Sequence, residues 1–307
     1  MKRVSGILSI LRTTDCELLI FQNSFGCRRL LYSPLVCLLS ISLADPPQMR
    51  AAQAPATQTP AVQASASQAS SDQQDQLVND LTIGGLEQRM DTLVRLGLLL
   101  TACPGTITDS TVKALVHILR RDQSPVVRAL AVRTLELGED SRVVPHLLGA
   151  AKNESQVPVR KAIAYALARY PSSSVTLSLI SMLQDKNQEV RAAATYALAE
   201  SGDSLALSTL IEVLRKRKGE RDTFARSEAA RGLGRIGSRE ALPSLLKALT
   251  DDDSPDVRRE AAIALGKVAT GRDTEAIEAL REATLTSDPY LTIAADGALA
   301  SIKTRPD

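Results

Sequence analysis

Five arginines, each trailing an acidic residue by six positions, are the most regular chemistry in this chain. They are Arg128 after Asp122, Arg160 after Glu154, Arg191 after Asp185, Arg226 after Glu220, and Arg258 after Asp252. A guanidinium offers a planar fork of donors that matches a carboxylate bidentately, so the pattern predicts ion pairs. In a sixth copy both members are lost together, to Thr286 and Thr292. Joint loss fits a mutual role, in which acid and arginine serve each other or a neighbouring repeat. The ten residues therefore read as a structural ladder, specific in geometry and modest in net stability.

Groups suited to covalent or acid–base work are scarce. His117 and His146 are the only histidines, and Cys103 is the only cysteine beyond residue 44. One thiol cannot close an internal disulfide, and no spacing suits zinc. Gly232, Gly234 and Gly237 lie inside and at the end of a helical pattern, where they suit close packing and a stop better than a phosphate loop. No G-x-S-x-G elbow is present. The expectation is a non-enzyme with no catalytic residue, no metal, no cofactor and no evident small-molecule substrate.

Two groups of residues are candidates for holding a partner. With each arginine counted as zero, Arg133, Tyr165, Tyr196 and Arg231 all stand at +5. At 100° per residue that position is well away from the buried face, so the four predict an exposed stripe of interface-type residues. The second group is Arg215, Lys216, Arg217, Lys218 and Arg221, in the longest step between repeats. Cations there could hold phosphate, headgroups or an acidic protein, a solvated loop being the plain alternative. No aromatic lies among them, which argues against nucleic acid.

These residues need elements to position them, and the same spacing supplies them. The arginine position recurs at steps of 32, 31, 35, 32 and 34 residues. Position +3 is Ala131, Ile163, Ala194, Ala229, Ala261 and Ala295, and position +7 is always leucine. A 0, 3, 7 spacing is one helical face, and the alanines let neighbouring helices approach closely. Gly138, Pro171, Gly202, Gly237 and Gly271 follow as stop signals. A second apolar face includes Leu147, Leu179, Leu210 and Leu245, with Pro145 and Pro243 in its first turn. Each unit is therefore helix, turn, helix, with the arginine-bearing helices expected as the outer layer. An incomplete earlier copy is expected over residues 77–121, and the final arginine-position helix acts as a cap.

The repeated pattern of an acid, an optional proline, Val-Arg, then alanine and leucine covers roughly residues 109–303 and resembles HEAT repeats. It is most similar to the short bacterial HEAT-like type also found in phycobilisome lyases. The resemblance implies an all-α fold, an α-solenoid of stacked antiparallel helix pairs with about six repeats plus a C-terminal capping helix. It also implies, as an alternative function, a bilin-lyase-like or chaperone component acting on a protein–cofactor substrate. HEAT-fold iron hydroxylases carry several His-Glu motifs, and neither histidine here begins one.

Composition agrees with close helix packing. Hydrophobic residues make up 44% and aromatics 3%, with no tryptophan, so the core must be Leu, Ile, Val and Ala. The formal charge of +2 lies at the front: residues 1–44 hold five cations against Asp15 and Glu17, which leaves −1 for the rest. A nearly neutral body gives no general case for nucleic acid or an anionic membrane. Arg28 and Arg29, an apolar stretch of about 15 residues, and Ser42 and Ala44 before Asp45 read as an export signal over residues 1–44. Residues 45–76, rich in Ala, Gln, Pro, Ser and Thr, read as a disordered linker, and 77–307 as the solenoid. The expected function is a non-catalytic scaffold, exported to a periplasmic or extracellular place, that binds an unidentified protein. Membrane association is expected only through an uncleaved leader, and a cytoplasmic place only if the leader is mis-assigned.

Overall fold

The computed structural model describes residues 60–215 and 223–305, with side chains from residue 70 onward. All belong to one unit, Gln58–Asp307. The leader, residues 1–44, and the first part of the linker, residues 45–59, lie outside the described residues.

Fourteen α-helices and no strand occur among the described residues. The first six are α1 (Pro60–Ile83), α2 (Leu86–Ala102), α3 (Asp109–Arg121), α4 (Pro125–Leu137), α5 (Val144–Asn153) and α6 (Val157–Leu167). Then come α7 (Ser173–Met182), α8 (Gln188–Ser201), α9 (Leu207–Arg215) and α10 (Thr223–Ile236). The last four are α11 (Leu242–Asp251), α12 (Pro255–Val268), α13 (Thr274–Thr284) and α14 (Pro289–Thr304). Even-numbered helices from α2 to α14 carry the arginine position and pack in sequence order, and the odd-numbered ones form the second layer. From α2 to α13 this is six helix pairs, with α14 as the expected terminal cap: an α-solenoid.

Local signals set the boundaries. Ser124 Oγ accepts from the Val127 N–H, and Asn187 Oδ1 from the Glu189 and Val190 N–H groups, satisfying first-turn donors. Proline occupies the first turn of α4, α6, α12 and α14. Gly202 and Gly237 end α8 and α10 at φ of 61° and 72°, a left-handed conformation that side chains resist.

The periodic positions are the core. Leu135, Leu167, Leu198, Leu233 and Leu265 at +7 are fully buried, as are the alanines at +3. The two layers differ in spacing. A Cβ on Gly266 would lie 2.6 Å from the Ala298 Cα, and one on Gly234 2.8 Å from the Ala264 Cα. Backbones of the arginine-bearing helices thus nearly touch, while those of the second layer meet more sparsely. Closer spacing marks the inner layer of a stack, so the expectation that the arginine-bearing helices lie outside is corrected. The small residues at their contacts are the reason.

A second correction concerns the linker. Residues 60–76 are helical and begin α1, which covers the N-terminal end of the array. Leu77 and Leu81 are buried, and so is one polar residue, Gln74, which fastens the segment before them. Gln74 donates from Nε2 to the Thr106 carbonyl (3.0 Å), and its Oε1 accepts from the Thr108 N–H (3.0 Å) and Thr111 Oγ1 (3.1 Å). A segment anchored through an amide shows no apolar period, which is why it read as a tether.

Candidate functional site

The ladder exists, and it runs between repeats. Arg128 donates through Nε and Nη2 to both oxygens of Glu154, each at 2.9 Å. Arg160 grips Asp185 at 2.6 and 2.9 Å, and Arg226 grips Asp252 at 2.9 and 3.0 Å. These three arginines thus reach the acid of the following repeat, the second of the two expected arrangements. The remaining nitrogen, Nη1, donates to a carbonyl of the arginine's own turn: Asp122 for Arg128 (2.7 Å), Ser155 for Arg160 (2.5 Å), Asp185 for Arg191 (2.9 Å) and Asp252 for Arg258 (2.6 Å). Each acid in turn accepts the N–H two residues on, at 2.8 Å for Asp122, Glu154 and Asp185 and 3.0 Å for Asp252. The arginine therefore clamps two successive turns together. Glu220, the ladder acid of the longest step, lies outside the described residues.

A further rung was missed in the sequence. Arg89 of α2 forms an ion pair with Asp122, Nε to carboxylate oxygen at 3.0 Å, and donates to the Gly84 carbonyl at 2.9 Å, which spans the same two turns without the bidentate bond. Its only signal is Leu96 at +7, because Thr92 replaces the alanine and the step to Arg128 is 39 residues. The pairs are largely dry: Asp252 is 3% exposed and Arg160 7%. Burial pushes the Glu154 carboxyl up, but the Arg128 guanidinium and the Gln156 N–H outweigh it, and its pKa falls below the usual value. The Arg160 hydrogen bond lowers Asp185 in the same direction.

The +5 residues come together in part. The Tyr165 and Tyr196 rings meet edge to face with centroids 5.4 Å apart, and the Arg231 guanidinium lies 5.4 Å from the Tyr196 centroid. Arg133 is exposed beside Glu136. The tyrosines are half-buried instead of exposed, because closely spaced helices lean each ring on the next. Edge-to-face and cation–π contacts of this kind are each worth about 1 kcal/mol.

Carboxylates that were not singled out share this face. Arg231 pairs with Glu228 and, at 3.2 Å, with Glu200, which Arg235 also holds at 3.1 Å. Burial raises the pKa of Glu136 and Glu260, and that of Glu228 to about 7. For Glu228 the Arg231 charge opposes the rise while Glu260 and Glu200 add to it. Glu228 and Glu260 both stand at +2, a register that could have revealed them. The face is thus a semi-dry row of tyrosine, arginine and carboxylate side chains spanning α4 to α12.

The other candidates are dispersed. Arg215 donates from Nε to Ser244 Oγ at 3.0 Å, and Lys216, Arg217, Lys218 and Arg221 lie outside the described residues. His146 Nδ1 is 3.1 Å from Arg120 Nη2, His117 is exposed on α3, and Cys103 is half-buried after α2.

A model of HEAT repeats matches residues 112–177, 156–225 and 217–300. No functionally curated protein matches the chain. Among solved structures, the Escherichia coli protein YibA is 18% identical over 81% of this chain and 99% of its own, with a TM-score of 0.50. The CpcE–CpcF complex of phycocyanin lyase from Nostoc is 17% identical over 84% and 100%, with a TM-score of 0.47. A designed armadillo repeat protein in complex with a (KR)4 peptide is 20% identical over 74% and 98%, with a TM-score of 0.41.

Proposed function

The chain belongs to the HEAT-repeat family, and from that premise we propose that it is a non-catalytic scaffold that holds a protein partner on its arginine-bearing layer. The observation that carries this reading is the contact chain Tyr165, Tyr196, Arg231 across three successive repeats. Half-buried tyrosine and arginine present a large apolar area that is already ordered, so a partner docks there with little further loss of side-chain freedom. The flanking carboxylates give the face polarity and orientation. Supporting the non-catalytic part, no histidine or cysteine lies in this row.

The test is affinity capture from the source cells with the full chain and with Tyr165→Ser plus Tyr196→Ser. Both rings are half-buried and the variant loses the ring and cation–π contacts, so it should melt several degrees below the parent, and capture is compared at a temperature where both are folded. The partner recovered by the parent should be lost or strongly reduced. Equal recovery by both proteins would place binding elsewhere, and a recovered partner carrying a covalent chromophore would favour the lyase-like alternative. Export belongs to the same proposal, and sequencing the protein from those cells should find a mature N-terminus at Asp45. An intact leader on a cytosolic protein would remove export from the account.

A further inference from the structure

In the ladder each arginine edge formed by Nε and Nη2 holds a carboxylate of the next repeat, at 2.6–3.0 Å for Arg128, Arg160 and Arg226. Arg258 makes the same Nη1 bond, to the Asp252 carbonyl at 2.6 Å, as the 2.7 and 2.9 Å bonds of Arg128 and Arg191. The residue at the next acid position is Thr286, and its hydroxyl donates to the Ala283 carbonyl. The Thr292 hydroxyl likewise serves the Thr284 and Asp288 carbonyls, and Asp288 spends its carboxylate capping α14 through the Tyr290 and Leu291 N–H groups. Among the described residues no carboxylate pairs with Arg258.

The surroundings are those of a contact surface. Arg259 stacks over Tyr290 at 5.1 Å, at the adjoining N-terminal ends of α12 and α14. Leu285 precedes Thr286 and is 86% exposed, and Tyr290 and Ile293 open α14 at 65% and 69%. A half-buried, backbone-held guanidinium, one residue from Arg259 and its exposed partner Tyr290, fits an acidic residue with an apolar neighbour.

We infer that Arg258 is a carboxylate-binding site of the terminal repeat, filled by an aspartate or glutamate from a segment of a partner protein. That segment completes the ladder as a further repeat would. The site does not depend on the tyrosine row, and its failure would leave that reading untouched.

The experiment follows the Arg258 Nε–H resonance of the full chain, identified by its loss in Arg258→Lys. Three probes are titrated: a capped Leu-Asp-Leu peptide, its Leu-Asn-Leu counterpart, and sodium acetate. The aspartate peptide should move the resonance saturably, acetate should need a roughly tenfold higher concentration, and the asparagine peptide should leave it in place. In Thr286→Asp the built-in acid should occupy the fork, so the resonance starts displaced and no longer responds; Thr286→Glu serves if that variant does not fold. No response to the aspartate peptide, or an unchanged response in the acid-bearing variant, would overturn the site. Acetate as effective as the peptide would overturn the assignment to a protein segment.

Discussion

At the residue scale, one molecule holds carboxylates of opposite behaviour. The ladder acids Glu154 and Asp185 are held below their usual pKa by arginine, so they contribute stability that is present at neutral pH and lost as pH falls below the ordinary carboxylate range. Glu228 works the other way. Burial raises it from 4.5 to about 7, so the folded chain binds its proton more tightly than the unfolded chain does. That contribution is complete below the ordinary value and is lost as pH rises through about 7. Glu228→Gln cannot ionise, so its melting temperature relative to the parent should climb between pH 5 and pH 8, by several degrees. A difference that stays constant over that interval would show that the carboxyl is not desolvated in the folded protein. Such a group also gives the candidate binding face a charge that varies near neutrality, from the same cause.

At the element scale, most of the architecture was legible because each repeat restates it. The 0, 3, 7 face, the alanines and the stop residues recur, and Leu135, Leu167, Leu198, Leu233 and Leu265 are buried as their spacing requires. Three features were not legible, each for a physical reason. Helix α1 is fastened by the buried amide of Gln74, and hydrophobic periodicity carries no trace of such an anchor. Which layer is closely spaced depends on glycine–alanine contacts such as Gly266 with Ala298, which a single helix pattern does not report. The tyrosine rings read as exposed from their angle on one helix, whereas their cover comes from the helix beside it. A wheel describes one helix, and stacking decides what the neighbour hides.

At the scale of the whole molecule, one hydrophobic core runs through the stacked helix pairs, and the ladder ties their turns together in register. Its members could be read from the sequence, but its connectivity could not. Glu154, Asp185 and Asp252, each six residues before one arginine, are also 25 or 26 residues after the previous one, so both pairings recur with a regular spacing. The structure selects the longer link, which couples each repeat to the next and leaves Arg258 at the end with its fork unclaimed by a following acid. Removing one partner of a dry pair costs about 3–5 kcal/mol, since the other charge stays buried. The most direct test is a pair of double-mutant cycles in denaturant, joining Arg160→Ala first with Asp185→Ala and then with Glu154→Ala. If arginines clamp successive repeats, the Asp185 cycle shows a coupling above about 1 kcal/mol, at least twice that of the Glu154 cycle. Equal couplings, or a larger one with Glu154, would contradict the account.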